Sequence, residues 1–168
     1  MTRKFAVANG FENKGVVLPE RSTKYSAGYD FRAVEDTIIP SIWQLAFKHF
    51  TNVLTGGTEK VSIAPTKVHT GVKAYMENDE YLEVVSRSSN SKLGLTMPHA
   101  KGCVDADYVD NPQNDGEIMC VFWNFGFIPR VIQKGDRIAQ GIFYKYLITE
   151  DDKADGIRGG GWGSTGTN

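Results

Sequence analysis

Lys67-Val-His-Thr-Gly-Val-Lys-Ala-Tyr75 decides the fold class. Its inward-type residues fall on every second position, with Val68, Thr70, Val72 and Ala74 on one face. That is the period of a half-buried strand and not of a helix. The runs downstream behave the same way. Leu82 and Val84 share a face just before Ser86-Arg-Ser-Ser89, and the stretch from Ile118 to Trp123 is almost continuously apolar, as in a strand buried on both faces. A last strand is expected from Arg137 to about Leu147, with Ile138, Ile142, Tyr144 and Tyr146 in phase. Turn formers separate these runs at short intervals: Pro98-His99, Asp110-Asn-Pro112, Asn114-Asp-Gly116 and Lys134-Gly-Asp136. Many short strands with close turns predict an all-β, jelly-roll-like barrel.

One helix interrupts this pattern. Pro40-Ser41 precedes Ile-Trp-Gln-Leu-Ala-Phe-Lys-His-Phe50, Ser41 with Gln44 fits a capping box, and Gly56-Gly57 offers an exit. Ile42, Leu45, Ala46, His49 and Phe50 follow helical spacing, so this side is expected to pack on the barrel or on a neighbouring subunit. Trp43, Phe47 and Phe50 could instead offer a surface to a protein partner in the segment from 41 to about 60. The chain is thus expected to be one domain, 1–157, with that helical insert, followed by a flexible glycine-rich arm, 158–168.

At 168 residues the chain can bury an ordinary core. A net charge of −1 leaves no broad positive field, which argues against direct nucleic-acid binding and confines any phosphate recognition to a local site. No apolar run reaches the roughly 18 residues of a membrane helix, and the N-terminal stretch lacks a signal-peptide core. A cytoplasmic protein is expected. Cys103 and Cys120 lack metal-site spacing and read as reduced, packed residues.

The arm, Arg158-Gly-Gly-Gly-Trp-Gly-Ser-Thr-Gly-Thr-Asn168, cannot build a core but suits a ligand. Arg158 offers a planar fork for phosphate, Trp162 a flat face for a base, and Ser164, Thr165 and amides such as that of Gly163 can surround anionic oxygens. Four further polar or glycine-rich segments sit at strand ends: 27–33 (Ala-Gly-Tyr-Asp-Phe-Arg-Ala), 86–89 (Ser-Arg-Ser-Ser), 102–108 (Gly-Cys-Val-Asp-Ala-Asp-Tyr) and 135–140 (Gly-Asp-Arg-Ile-Ala-Gln). In this order and spacing the five segments resemble the motifs of the homotrimeric dUTP pyrophosphatases (dUTPases).

That resemblance implies a jelly-roll homotrimer with active sites shared between subunits, hydrolysing dUTP to dUMP and pyrophosphate with Mg2+. Such an enzyme keeps uracil out of DNA and supplies dUMP for dTMP synthesis. By the same resemblance Asp105 activates the water that attacks the α-phosphorus, which suits a carboxylate acting as general base. Tyr108 packs on the deoxyribose and excludes a 2′-hydroxyl; taken alone, it reads equally well as a core aromatic. Gly102 belongs to the same motif. Arg87, Ser88, Ser89 and Gln140 hold phosphates, and His99 stands where the family has the asparagine of its uracil-binding hairpin. Arg158 reaches the γ-phosphate, Trp162 stacks on uracil, and Gly163, Ser164 and Thr165 line the terminal phosphates. The arm of one chain is expected to cross to a site built by the others. Asp30 either helps hold the hydrated metal through water or braces the loops.

Three rival functions were weighed. A dCTP deaminase shares part of the second motif but needs a Glu where this chain has Val121. Gly161-Trp-Gly-Ser-Thr-Gly166 spells a dinucleotide fingerprint, yet no helix can follow it. A non-catalytic regulator on the same fold is disfavoured because the expected catalytic groups are all present.

Overall fold

The structure is a computed structural model that describes residues 3–59 and 61–161. In chain order its strands are β1 (Lys4–Val7), β2 (Glu20–Arg21), β3 (Tyr29–Arg32), β4 (Thr37–Ile39), β5 (Thr66–His69), β6 (Val72–Tyr75), β7 (Glu80–Ser86), β8 (Leu95–Thr96), β9 (Lys101–Asp105), β10 (Met119–Asn124), β11 (Arg130–Ile132) and β12 (Arg137–Lys145). Helix α1 (Ile42–Leu54) lies between β4 and β5, and a single turn of helix, α2 (Ser88–Lys92), follows β7. The strands form a five-stranded sheet, β2-β3-β12-β7-β9, a three-stranded sheet, β5-β10-β8, and two ribbons, β1-β6 and β4-β11. All these pairings are antiparallel. Phe31, Leu82 and Val84 from the larger sheet meet Val68, Cys120 and Phe122 from the smaller in one apolar core. This is the all-β, jelly-roll-like architecture that the alternation predicts.

Two strands differ from expectation in an instructive way. Residues 67–75 do not form one strand. Gly71 takes a left-handed φ of 67°, so the chain leaves the three-stranded sheet after β5 and pairs with β1 as β6. Val68, Thr70, Val72 and Ala74 nevertheless all face the interior. In β12 the register shifts between Arg137 and Ala139. Beyond that irregularity Ala139, Gly141 and Phe143 share the core side with Leu82 and Val84, while Ile142 and Tyr144 turn to the outer face. Ile138 is buried, but the expected phase ends there. Cys103 is also exposed and not packed, whereas Cys120 is wholly buried and its thiol is pushed up to about 12 by that burial.

Helix α1 starts as its cap predicts, with the Ser41 hydroxyl accepting from the Trp43 amide at 3.2 Å and donating to the Gly126 carbonyl at 2.6 Å. Gly56, with a φ of 66°, ends it. No residue of the helix is fully buried, and Ile42 and Leu45 are half-buried. The Trp43 indole donates to the Phe125 carbonyl at 3.0 Å and stacks near Phe127, but Phe47, Phe50 and Leu54, on the same stripe, are 68%, 58% and 68% exposed.

Gly141 shows how closely β12 lies on the core. A Cβ there would stand 2.6 Å from Phe31 Cε2 and 3.0 Å from Leu82 Cδ1. Overpacking of this kind costs about 1–3 kcal/mol. Gly141→Ala should therefore lower the midpoint of chemical denaturation, and an unchanged midpoint would mean that the sheet yields to a methyl group.

Candidate active site

The sequence-predicted residues gather into two half-sites on the five-stranded sheet. The first surrounds Asp30. Across the sheet, Asp30 on β3 registers with Gln140 on β12, and Gln140 with Val85 on β7, which runs out into Arg87. Asp30 is only 3% exposed. One carboxylate oxygen accepts from the Ser22 hydroxyl at 2.8 Å and Arg137 Nη1 at 3.1 Å; the other accepts from Gln140 Nε2 at 3.1 Å and lies 3.3 Å from Arg87 Nε. Burial by itself would push this carboxyl up, but the hydrogen bonds from Ser22 and Gln140 and the charges of Arg87 and Arg137 together hold it below its ordinary range. Gly28 makes room for the arrangement, since a Cβ there would meet Gln140 Cβ at 3.1 Å.

Arg87 is also the extended residue that opens α2, and no side chain caps that turn. Ser88 and Ser89 are exposed at its start. Asn90, which sequence reasoning passed over, is buried and ties the turn down by donating to the Ile138 carbonyl at 2.7 Å and the Ser86 hydroxyl at 3.0 Å. A cavity of about 240 Å³ opens here, lined by Arg87, Ser88, Met97 and Ala100 among others. Charged and hydroxyl donors at its rim suit an anionic oxygen. Of the two roles read for Asp30, bracing is the one its contacts describe. Three hydrogen bonds and one ion pair meet its two carboxylate oxygens.

The second half-site lies on β9, an edge strand. A cavity of about 280 Å³ is bounded by Val84, Met97, His99, Gly102, Tyr108 and Ile118. A Cβ on Gly102 would sit 3.6 Å from His99 Cε1, so the imidazole stands over the glycine. Ala100, at the tip of the turn, holds a left-handed φ of 55°. An edge strand presents unpaired backbone donors and acceptors, the groups a pyrimidine edge can use. Asp105 ends β9, exposed, and Tyr108 closes the 3₁₀ turn that follows. The Tyr108 hydroxyl donates to the Glu117 carbonyl at 3.0 Å and receives a bond from Asn114 Nδ2 at 2.8 Å. Burial pushes the phenol up.

Here the arm arrives. Arg158 Nε donates to Asp107 at 2.8 Å, its Nη2 pairs with Asp105, and the guanidinium lies 5.7 Å from the Tyr108 ring centre. The Gly161 amide donates to Gln113 Oε1 at 2.7 Å. These contacts lie within one chain, where the expectation is an arm that crosses to another subunit. Trp162, Gly163, Ser164 and Thr165 fall outside the described residues. Among the described residues no group of three or more His, Cys, Asp or Glu could hold a metal ion.

The half-sites are far apart. Tyr81 registers with Asp105, and Arg87 lies six residues further along β7, about 20 Å at 3.3 Å per residue. Arg87 and Asp105 thus stand at opposite ends of the strand pair.

An edge-strand cavity with an exposed carboxylate, a half-buried tyrosine and a cationic arm at its mouth, on the same sheet as a cluster of phosphate-type donors, has the make-up of a nucleotide hydrolase. The comparisons agree. The dUTPase family model matches residues 60–166. A deoxyuridine 5′-triphosphate nucleotidohydrolase of Lactococcus lactis subsp. lactis is 36% identical over 98% of this chain and 97% of its own length. The crystal structure of a dUTPase from Streptococcus mutans superposes with a TM-score of 0.71 at 32% identity, covering 87% of this chain and 98% of that one. A mutant dUTPase from phage phi11 of S. aureus, in which a structural Mg(II) ion is coordinated, shares the fold at a TM-score of 0.63 and 16% identity, covering 93% and 98%. The chain belongs to the dUTPase family, and it is an enzyme of that class.

The Asp30 cluster sets a pH test. Its carboxyl is held below the ordinary value of about 3.9, so its contribution to stability is complete above that value and lost as pH falls through the folded-state value. Asp30→Asn should cost about 2 kcal/mol at neutral pH, less than a wholly buried pair because Arg137 keeps contact with water. The gap from wild type in denaturation experiments should be full well above the ordinary value and narrow as pH falls through the lowered folded-state value. A gap independent of pH would show that the charge of Asp30 is not what stabilises the cluster.

Proposed function

We propose that this chain hydrolyses dUTP to dUMP and pyrophosphate, the activity of its family, with Asp105 as the general base. The pairing of Asp105 with Arg158 at the mouth of the β9 cavity carries this reading: base, sugar-facing ring and arm converge on one place. Uracil lies along the β9 edge near His99 and Gly102, and Tyr108 packs on the deoxyribose, where a 2′-hydroxyl would meet its ring. When the triphosphate enters, Arg158 exchanges the two carboxylates for the γ-phosphate. Asp105 is then free to take a proton from the water that attacks the α-phosphorus, and the bond to the bridging oxygen breaks to release pyrophosphate.

Arg87, Ser88, Ser89 and Gln140 hold the phosphates. Because Arg87 lies about 20 Å from Asp105 along β7, these donors come from a second copy, which supports a homotrimer with shared sites. Trp162 stacks on the base, and Gly163, Ser164 and Thr165 close on the terminal phosphates. The donors around Arg87 suit phosphate oxygens and not a cation, so Mg2+ fits as a partner of the triphosphate, neutralising its charge. Residues 1–157 form the domain and 158–168 the closing arm. The exposed stripe of α1 leaves the 41–60 segment available to a protein partner. No helix among the described residues is long and apolar enough to cross a membrane, and the cytoplasm, where nucleotides are made, is the proposed location.

The test is incubation with dUTP, dCTP, dTTP and UTP plus Mg2+. Only dUTP should be consumed, with dUMP and pyrophosphate as products; deamination of dCTP would overturn the assignment. Asp105→Asn should lower kcat by about 10²–10⁴-fold while nucleotide binding survives. Removal of residues 158–168 should lower turnover roughly 100-fold or more with the fold intact, and full activity after that truncation would end the closing-arm reading.

A further inference from the structure

We infer that the loop of residues 110–117 is a positioning element with two separate tasks. Asn114 fixes the ring of Tyr108, and Gln113 latches the arm at Gly161. The inference rests on the reading of Tyr108 as the sugar-facing residue and of 158–168 as the closing arm.

The loop is built to be rigid. Two of its residues, Asp110 and Asp115, take left-handed φ values, 57° and 56°, which few non-glycine residues adopt. Lys73, buried on β6, holds both in place by donating to Asp110 at 2.5 Å and Asp115 at 2.8 Å. The Asn9 amide also donates to Asp115, at 2.8 Å. Inside the loop the buried Asn111 accepts from the Gln113 and Asn114 amides at 3.0 and 3.1 Å and donates to the Tyr108 carbonyl at 2.8 Å. Gly116, with a φ of 80°, passes so close to Tyr108 that a Cβ there would lie 2.9 Å from its carbonyl oxygen.

That rigidity is spent on two outward contacts. Asn114 Nδ2 donates to the Tyr108 hydroxyl at 2.8 Å and to the Glu117 carbonyl at 3.1 Å, and the hydroxyl in turn donates to the same carbonyl. A phenol held at its far end cannot swing about its χ angles, so the ring is fixed where it would meet a 2′-hydroxyl. Gln113 Oε1 receives the Gly161 amide, and a Cβ on Gly161 would lie 3.0 Å from Asn114 Oδ1 and 3.1 Å from Gln113 Oε1. A side chain at this position would make both loop side chains give by a few tenths of an ångström. Because consecutive Cα atoms are about 3.8 Å apart, holding Gly161 also sets where Trp162 can begin to reach. A glycine-rich arm has many conformations to lose on closing, and one latch next to the stacking residue removes many of them in advance.

The two tasks separate in steady-state kinetics on the full-length protein. Gln113→Ala should raise KM for dUTP about tenfold, the worth of one hydrogen bond, with a smaller effect on kcat. Gln113→Glu keeps the acceptor and should restore most of the loss. Asn114→Asp keeps the acceptor that shapes the loop but loses the donor to Tyr108. It should lower the dUTP-to-UTP ratio of kcat/KM at least about tenfold, whereas a merely structural loop would affect both substrates alike. Should Asn114→Asp fail to fold by its melting profile, Tyr108→Phe removes the same bond and should give the same loss of discrimination. Wild-type KM in Gln113→Ala together with wild-type discrimination in the Asn114 or Tyr108 variant would overturn the inference. Absence of dUTP hydrolysis by the unmodified chain would instead strike at the proposed function itself.

Discussion

A carboxylate taken out of water has to be matched donor for donor, and Asp30 is where this chain meets that demand. Its four partners arrive from separate parts of the fold: Ser22 from beyond β2, Arg87 from the end of β7, Arg137 and Gln140 from β12. Satisfying one buried charge therefore fixes how three neighbouring strands lie relative to each other. It also aims the groups proposed to hold phosphate. Arg87 is tied at Nε and shares Nη1 with the Arg137 carbonyl, so its orientation is set before any ligand arrives. Electrostatic binding is strongest where the donors need no reorganisation.

The same sheet imposes the separation of the two half-sites. β7 pairs with β9 from Tyr81 to Val85, so the direction of the strands alone puts Arg87 at one end and Asp105 at the other. No side-chain rotation removes an offset of about 20 Å. Register alone thus keeps the phosphate-type donors and the carboxylate of one chain at opposite ends of the same strand pair.

Much of this was legible in the sequence, and the reasons differ from residue to residue. The alternation around Val72 reports burial directly, so the inward positions survive even where Gly71 breaks the strand. The phase of β12 was not legible beyond Ile138, because the register shift that reverses it arises from pairing with β3 and leaves no mark in hydropathy. Ser41 and Gly56 announced the ends of α1, since caps are local; the exposure of its aromatic stripe is a tertiary fact that spacing cannot supply. The motif residues Asp105, Tyr108, Arg87 and Gln140 were found by resemblance. Asn114 reads in the sequence only as a turn former, and Gln113 carries no signal there. Their roles depend on Asn111 folding the loop back on Tyr108, a contact invisible until the chain is folded. The triple Asn111, Asn114 and Gly116 was the available signal: two side chains that bond to local backbone and one residue free to take a positive φ.

The arm shows how the charge balance and the chemistry are joined. Asp105 and Asp107 stand two residues apart on the same short turn, and Arg158 bridges them with its side chain largely covered. Without it two like charges would face each other beside an apolar cavity. The Nε and Nη2 donors that satisfy this pair are the same planar fork that a terminal phosphate would take. In the proposed mechanism Asp105, paired with a cation in the resting chain, would be released by the arrival of the triphosphate. The substrate's own charge would drive the exchange, and the glycines that follow Arg158 let the backbone accommodate it. The arm need not be rigid for this to work. It needs one fixed point beyond the arginine, and Gln113 provides it at Gly161.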